Sequence, residues 1–180
     1  MPPKIIGIVG HIRAGKTTAS GYLVKKHGYK LASNSDVLRE IATKIGLPHD
    51  RETLKRLGDA VFSSLGNDAI ARHRIKNGES SIVVDGIRYP EEIEAYSQEP
   101  TFKLIGMFAP LEVRYARAIA AAQEGKDSAL TVNDFGNLDL ARSEERVPEI
   151  MKCAHKIIVN DEGIEGLERS LDNFLEENSL

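Results

Sequence analysis

The residues best able to do chemistry lie at positions 10–17, which read GHIRAGKT and fit the pattern G-x-x-x-x-G-K-[ST]. An apolar run, Ile5–Val9, precedes them, and a helical pattern begins at Lys16. A strand, loop and helix in this order turn backbone N–H groups and a helix N-terminus towards a polyphosphate. Lys16 would then face the β- and γ-phosphates, and the Thr17 hydroxyl would ligate Mg²⁺. The motif predicts that the chain binds a nucleoside triphosphate.

The other loop residues are expected to shape this site. The two glycines let the backbone curl so that its amides point inward, which a Cβ would obstruct. His11 is expected to pack in the loop rather than to catalyse, because phosphoryl transfer asks little proton chemistry of a protein. The candidate ATP- and phosphate-binding residues of this segment are Gly10, Arg13, Ala14, Gly15, Lys16, Thr17 and Thr18.

Composition limits the classes of protein that the chain can belong to. Its 180 residues suit a single domain, 1–180, and the net charge of −3 argues against binding of nucleic acid as a polymer. The one cysteine, Cys153, excludes a disulfide framework and is expected in the core. No apolar stretch approaches the roughly 20 residues of a membrane span, and no signal peptide is evident. We therefore expect a cytoplasmic protein that does not bind membranes, with its oligomeric state open.

Strand and helix patterns alternate along the chain. The predicted strands are Lys4–Val9, Tyr29–Ala32, Ser81–Val84, Phe102–Phe108 and Lys156–Val159. The predicted helices are Lys16–His27, Asp36–Ile45, Glu52–Leu65, Asn67–Lys76, Pro90–Ser97, Leu111–Gln123, Leu138–Ala154 and Ile164–Glu177. This alternation predicts a three-layer α/β fold with a five-stranded parallel sheet, whose ligands lie at the carboxyl ends of the strands.

Two departures from simple alternation are expected to carry function. The segment 36–78 reads as several helices where one crossover helix would suffice, which predicts a helical insertion. The polar segment 124–137 predicts a short lid, with a variable surface loop as the alternative. Phosphotransferases need such parts, because water must be kept from the γ-phosphoryl group. Pro148 should kink the predicted helix 138–154 or divide it.

A second group of chemical residues follows the third predicted strand. Asp85 ends that strand beside the phosphate loop, where it would hold Mg²⁺ directly or through water. Arg88 would project into the same cleft and grip an anionic acceptor. The alternative is that Asp85 caps the next helix and that Arg88 lies on the surface.

A third group follows the second predicted strand. Ser33, Asn34 and Ser35 supply short hydrogen-bonding groups, and Asp36 is expected to start a helix that carries Arg39 one turn later. An arginine there would pair with a phosphate as a planar fork. Asp36 would orient the acceptor oxygen or serve only as a helix cap, and both remain open.

Five segments together resemble the P-loop nucleoside monophosphate kinase group: GHIRAGKT, SDVLRE, VVDGIR, VRYAR and KIIVN, in this order along nearly the whole chain. SDVLR is similar to the acceptor-site segment of adenylate kinases. The segments LKRLGD (54–59) and GND (66–68), with DGIRYPEE later, look like phage-type deoxynucleoside monophosphate kinases. HKIIVNDEG resembles dephospho-CoA kinases. The likeness implies a P-loop NTPase fold in which 36–78 binds the acceptor and 124–137 forms the lid.

The resemblance also implies roles for individual residues. The catalytic set would be Lys16, Asp36, Arg114, Arg117 and Arg142, the last three as charge clamps over the transferring group. The acceptor-binding set would be Ser35, Asp36, Arg39, Arg72 and Arg88, with Arg74 as a further candidate. Thr17 and Asp85 would hold the metal, Asn160 would belong to the ATP- and phosphate-binding set, and the loop after Asn160 would border the adenine. The predicted lid departs from these kinases because Lys126 is its only cation.

The implied activity is transfer of the γ-phosphoryl group from Mg·ATP to a small phosphorylated acceptor, namely a nucleoside or deoxynucleoside monophosphate. Dephospho-CoA kinase is the alternative within the same class, although Gly-Ile-Arg after Asp85 replaces the apolar segment usual there. An ATPase or nucleotide-dependent switch without a small acceptor is the alternative of another class. Arg39 and Arg88 speak against it, because a hydrolase has less need of them.

Overall fold

The computed structural model describes residues 4–78, 81–123, 131–137 and 144–180. Its strands are β1 (Ile5–Val9), β2 (Lys30–Ala32), β3 (Ile82–Asp85), β4 (Lys103–Phe108) and β5 (Lys156–Val159). Its helices within these ranges are α1 (Lys16–His27), α2 (Asn34–Lys44), α3 (Arg51–Leu65), α4 (Ala69–Lys76), α5 (Pro90–Tyr96), α6 (Leu111–Gln123), α7 (Val132–Asn137), α8 (Val147–Met151) and α9 (Ile164–Glu177).

The five strands form one sheet in the order β2-β3-β1-β4-β5, and each neighbouring pair is parallel. The predicted α/β fold with a five-stranded parallel sheet is thereby confirmed. β1 lies in the middle, and all its residues are buried, as expected for a strand covered on both faces. The register places Ile8 opposite Asp85, so the loop after β1 and the loop after β3 leave the sheet side by side.

Helices cover both faces of the sheet. Successive side chains of a strand point to opposite faces, so Ile6 and Ile8 join a core with residues of α1 and α9. Ile5 and Val9 join a second core with residues of α5 and α8 on the other face. These two apolar layers hold β1, and with it the start of the phosphate loop, in a fixed position.

Three helices, α2, α3 and α4, stand between β2 and β3, where the helical insertion was predicted. They share a separate apolar cluster whose buried members are Val37, Leu38, Ala42, Leu54 and Ile70. This apolar cluster holds the three helices together. Its predicted role in binding an acceptor stays a prediction.

Two capping patterns shift helices from their predicted bounds. The helix α2 begins at Asn34 rather than at Asp36, because Ser33 and Asp36 form a capping box in which the Ser33 N–H donates to Asp36 Oδ2 at 3.3 Å. A similar pair starts α7 inside the predicted lid, where no helix was expected: the Thr131 hydroxyl donates to Asp134 Oδ2, and the Asp134 N–H donates to the Thr131 hydroxyl. A Ser or Thr followed three residues later by an acid is the sequence signal for this cap.

The predicted long helix 138–154 is wrong in its described part. Here α8 covers only Val147–Met151, and Pro148 lies in its first turn, where a missing N–H costs no hydrogen bond. Cys153 lies beyond the end of α8 and is exposed, so its predicted core position is also wrong. Within the described ranges, no helix combines the length and the apolar character needed to cross a bilayer.

Candidate active site

The phosphate loop, residues 10–15, joins the buried strand β1 to α1, as the motif predicted. Gly10 has φ 156°, and a Cβ there would collide with the carbonyl oxygen of Met107 in β4. Gly15 has φ 102°, and its Cβ would collide with the side-chain amide of Asn160. Both glycines are therefore required by close approach to neighbouring strands as well as by the turn.

Lys16 folds back over the loop that precedes it. Its Nζ donates to the carbonyl of Gly10 at 2.6 Å and to that of His11 at 2.9 Å. Burial lowers the pKa of Lys16, while the carboxylates of Glu144 and Asp85 act in the opposite direction. The ammonium thus stands at the loop, where a polyphosphate would offer it stronger partners than two carbonyls.

Two arginines of α6 bond the loop from outside. Arg114 is buried, and its Nη1 donates to the carbonyl of Ile12 at 3.3 Å. Arg117 donates from Nη1 to the carbonyl of Arg13 at 3.2 Å. Arg13 itself has φ 63°, an uncommon conformation for a residue with a Cβ. The structure therefore brings both predicted arginines to the phosphate loop, in contact with its backbone.

Asn160, predicted to belong to the ATP- and phosphate-binding residues, contacts the phosphate loop. Only 5% of its surface is exposed, and its Nδ2 donates to the carbonyl of Ala14 at 2.9 Å. Its own carbonyl accepts from Arg117 Nη2 at 2.9 Å. The segment after β5 and the phosphate loop are therefore held together by side chains from two elements.

Asp85 ends β3 beside the loop, and its side chain is partly buried. Burial raises the pKa of Asp85, and the charges of Lys16 and Arg88 act in the opposite direction. The N–H of the next residue, Gly86, donates to the carbonyl of Ile8 at 3.1 Å and holds the end of β3 beside the end of β1. Thr17 is exposed in the first turn of α1. A carboxylate and a hydroxyl oxygen suit Mg²⁺, which needs few protein ligands because it keeps waters and phosphate oxygens.

The carboxylate of Glu144 is a neighbour of the loop that the sequence analysis missed. Its Oε2 lies 4.0 Å from Nδ1 of His11, and its charge raises the pKa of Lys16. Within the described residues, no three His, Cys, Asp or Glu side chains converge as a metal cluster. Nothing in the spacing around Glu144 distinguishes it from an exposed helix residue, so no sequence signal would have found it.

The acceptor-side residues are only partly brought together. Asp36 is the third residue of α2, where it bonds the Ser33 N–H and accepts from Arg39 Nη1 at 2.8 Å. Both side chains are about half exposed. Ser35 Oγ lies 3.1 Å from Ser33 Oγ. The carboxylate that was predicted either to catalyse or to cap is therefore engaged in a capping contact.

Arg72 was predicted to bind the acceptor and Arg74 was only a further candidate, but Arg74 is the one that contacts the acceptor side. Arg72 bonds the carboxylate of Asp68 and the carbonyl of Leu65, both near the start of α4, and its side chain is half exposed. Arg74 is buried, and its Nη2 donates to the carbonyl of Ser33 at 2.7 Å. Of the two arginines, Arg74 is the one that reaches the segment before α2, because it lies on the inward side of α4.

Glu92 was not predicted and is 1% exposed. Its Oε2 accepts from the backbone N–H of Arg88 at 3.0 Å and of Tyr89 at 3.2 Å. Its Oε1 accepts from Asn34 Nδ2 at 3.0 Å. Burial raises the pKa of Glu92, and these hydrogen bonds act against that shift. One carboxylate therefore ties the start of α2 to the loop that carries Arg88.

Part of the predicted lid packs on α6. Phe135 of α7 is buried, its ring centroid lies 5.9 Å from that of Tyr115, and the guanidinium of Arg114 lies 5.8 Å from it. Arg142 and Lys126 fall outside the described residues. Thr18 is exposed on α1, and Ala14 is buried in the loop.

Comparisons with known proteins agree with this geometry. A family model described as an AAA domain matches residues 9–129. The UPF0200 protein of Sulfurisphaera tokodaii is 30% identical over 174 residues, 96% of each chain. That of Methanothrix thermoacetophila is 35% identical over 150 residues, 82% of this chain and 79% of the relative.

Solved structures show the same fold. Shikimate kinase from Acinetobacter baumannii, in complex with shikimate, aligns with a TM-score of 0.58 over 99% of this chain and 96% of its own. The identity is 19%, so the similarity concerns the fold alone, which is that of a P-loop kinase. From the near full-length sequence similarity we conclude that this chain belongs to the UPF0200 protein family, with an AAA domain over residues 9–129.

Proposed function

We propose that the protein transfers the γ-phosphoryl group of Mg·ATP to a small phosphorylated acceptor, a nucleoside or deoxynucleoside monophosphate. The observation that supports this most directly is the placement of Lys16, Asp85 and Arg88 at or after the ends of the neighbouring strands β1 and β3, where the Gly86 N–H donates to the carbonyl of Ile8 at 3.1 Å. The first two suit a metal-bound polyphosphate. The third adds an exposed guanidinium on the neighbouring loop, which suits a second anion.

The chain's own residues would divide the work between the two substrates. The loop amides and Lys16 would hold the polyphosphate, while Thr17 and Asp85 would hold Mg²⁺. The metal ion, when bound, would neutralise charge on the phosphate oxygens. Catalysis in this proposal rests on positioning and electrostatics, since phosphoryl transfer needs little covalent chemistry from the protein.

The acceptor would be held on the side of α2 and the loop after β3. Arg88 is proposed to bind the phosphate of the acceptor together with Arg39. To do so, Arg39 must give up its hydrogen bond to Asp36 and bind the acceptor phosphate instead. Ser35 and Asp36 would contact the acceptor near its reacting oxygen. Of the three arginines predicted as charge clamps, Arg142 keeps that role in the proposal.

The deciding experiment measures ADP release from Mg·ATP in the presence and absence of candidate acceptors. The panel contains nucleoside and deoxynucleoside monophosphates, dephospho-CoA and shikimate, the last because a kinase of similar fold binds it. We expect one monophosphate to stimulate ADP release strongly, and Lys16→Ala to abolish the stimulation. Lys25→Ala, which removes an exposed lysine of the same helix, serves as the control.

Each of the other outcomes would indicate a different acceptor or a different activity. Stimulation by dephospho-CoA alone would keep the kinase activity and replace the acceptor. Stimulation by shikimate alone would indicate a hydroxyl acceptor without a phosphate. Slow ADP release that no acceptor changes would refute the proposal in favour of an ATPase or nucleotide-dependent switch.

A further inference from the structure

Every carbonyl oxygen of the phosphate loop between residues 10 and 14 accepts a side-chain hydrogen bond. Lys16 bonds the first two from the side where a polyphosphate would bind. Arg114, Arg117 and Asn160 bond the next three, one each, from α6 and from the segment after β5. Three consecutive carbonyls are therefore held by side chains more than 90 positions away.

Arg117 joins two separate backbone segments. One nitrogen of its guanidinium, Nη1, donates to Arg13, and the other, Nη2, donates to the carbonyl of Asn160. A planar group with donors in a fixed fork can hold both carbonyls at once, whereas a lysine ammonium presents a single nitrogen. Arg114 makes a similar bridge, since its Nε donates to the carbonyl of Ala109 at 3.2 Å.

These bonds bear on the direction of the loop amides. In a trans peptide the C=O of one residue and the N–H of the next point in opposite directions. Carbonyls 12 and 14, held towards α6 and the segment after β5, therefore turn the N–H groups of Arg13 and Gly15 to the opposite side. Inward-facing amides are what an anion-binding loop requires.

We propose that Arg114 and Arg117 are positioning residues that hold the phosphate loop in its anion-binding shape, and not charge clamps on the transferring group. Each of the two guanidinium groups donates to a backbone carbonyl of the loop and to a second carbonyl beside it. A pre-shaped loop binds a polyphosphate without first ordering its own backbone. The inference concerns nucleotide binding and holds whether or not the bound phosphoryl group is later transferred.

The two roles differ in what they do to ADP. A positioning residue shapes the loop for every nucleotide that places phosphates there, so its loss weakens ADP and a non-hydrolysable ATP analogue alike. A clamp on the transferring group acts on a phosphate that ADP lacks, so its loss lowers kcat and leaves ADP binding unchanged.

The experiment compares Arg117→Lys and Arg117→Ala with Arg169→Ala, which removes an equal charge from the exposed face of α9. Dissociation constants for ADP and for the ATP analogue are measured by calorimetry. We expect Arg117→Lys to weaken both by roughly tenfold, the order of one lost charge-assisted hydrogen bond, and Arg169→Ala to change neither beyond about twofold. Normal binding of both nucleotides by Arg117→Lys would overturn the inference.

A second readout uses the protein without nucleotide. Hydrogen exchange at the amides of residues 13–15 should accelerate in Arg117→Lys and in Asn160→Ala, which loses the bond to Ala14. Exchange in Arg169→Ala should match the unaltered protein. Unchanged exchange in both loop variants would refute the positioning role. This readout needs no nucleotide, so it stays valid even if the kinase assay shows no activity. Arg117→Lys keeps charge and bulk, so it serves if Arg117→Ala does not fold.

Discussion

Asn160 donates a hydrogen bond from Nδ2 to the carbonyl oxygen of Ala14 at 2.9 Å, across 146 positions of sequence. The two residues follow β5 and β1, strands separated in the sheet by β4. Their contact closes the carboxyl edge of the sheet around the phosphate loop. The space left between them at Gly15 admits no side chain, because a Cβ there would meet the Asn160 amide.

Gly15→Ala should therefore lose nucleotide binding and stability together. The new Cβ would push Asn160 away from Ala14, and φ 102° is strained for alanine. We expect a loss of about 1–3 kcal/mol in the free energy of unfolding. Urea titration measures the stability, and calorimetry with ADP measures the binding.

Gly21→Ala is the matched control for that substitution. Gly21 lies in α1, and no atom stands within 4 Å of the position of its Cβ. Alanine in an exposed helix position should stabilise the protein by about 0.5–1 kcal/mol. Equal losses in the two variants would contradict the explanation given for Gly15.

Arg88→Ala and Arg72→Ala should separate the two arginines that the sequence assigned to the acceptor. Arg88 acts on Lys16 and Asp85, whereas Arg72 bonds Asp68 and Leu65 near the start of its own helix. We expect Arg88→Ala to raise KM for the acceptor at least about tenfold, since it removes a charge-assisted contact. Arg72→Ala should leave that KM unchanged, and a comparable rise in both would show that Arg72 also binds the acceptor.

Glu92→Gln should weaken binding of the acceptor and leave binding of the nucleotide unchanged. The amide keeps one acceptor oxygen where the carboxylate has two, so bonds to the N–H groups of Arg88 and Tyr89 compete with that to Asn34. We expect a loss of about 1–3 kcal/mol in stability and a higher KM for the acceptor, with the dissociation constant for ADP unchanged.

Glu94→Gln on the exposed side of the same helix is the control for Glu92, and should stay within about 0.5 kcal/mol of the unaltered protein. Steady-state kinetics with varied acceptor, together with urea titration, compares the two variants. If the Glu92 and Glu94 variants have the same KM for the acceptor, Glu92 contributes to stability and not to acceptor binding.

Asp172 gives the protein a defined response to acid. The Lys26 ammonium, helped by Tyr22 and His27, lowers the pKa of Asp172 to about 2. A lowered folded-state pKa means that the stabilisation is present above the ordinary value of about 3.9 and is lost as the pH falls towards 2. Because the Lys26 side chain is more than half exposed, solvent screens the pair, and we expect only a small contribution from it.

Asp172→Asn tests this directly. The difference in unfolding free energy between the unaltered protein and the variant should be constant above about pH 5, fall as the pH drops through about 2, and disappear near pH 1. Asp161→Asn, at an exposed position before α9, should show no such dependence. A difference that persists at pH 1 would show that Asp172 acts through packing rather than through its charge.

The phosphate loop and the parallel sheet could be predicted because local patterns specify them. Glycine and lysine at fixed spacing behind an apolar run set the course of the backbone, and β1 buries every residue of that run. An acid three residues after Ser33 or Thr131 is also a local signal, and it predicts the N-terminal cap of a helix. The predicted helix nevertheless started at Asp36 itself, and no helix was predicted around Asp134.

The sequence by itself determined which residues could bind phosphate, and the tertiary structure decided what each of them contacts. Spacing placed Arg114 and Arg117 on one side of a helix, yet each also donates to a loop carbonyl about 100 positions earlier. Glu92 links the start of α2 to the loop that carries Arg88 only because the fold brings its carboxylate within 3.0 Å of Asn34 Nδ2. Side-chain direction and long-range contacts of this kind depend on how whole elements pack, and no local pattern contains that information.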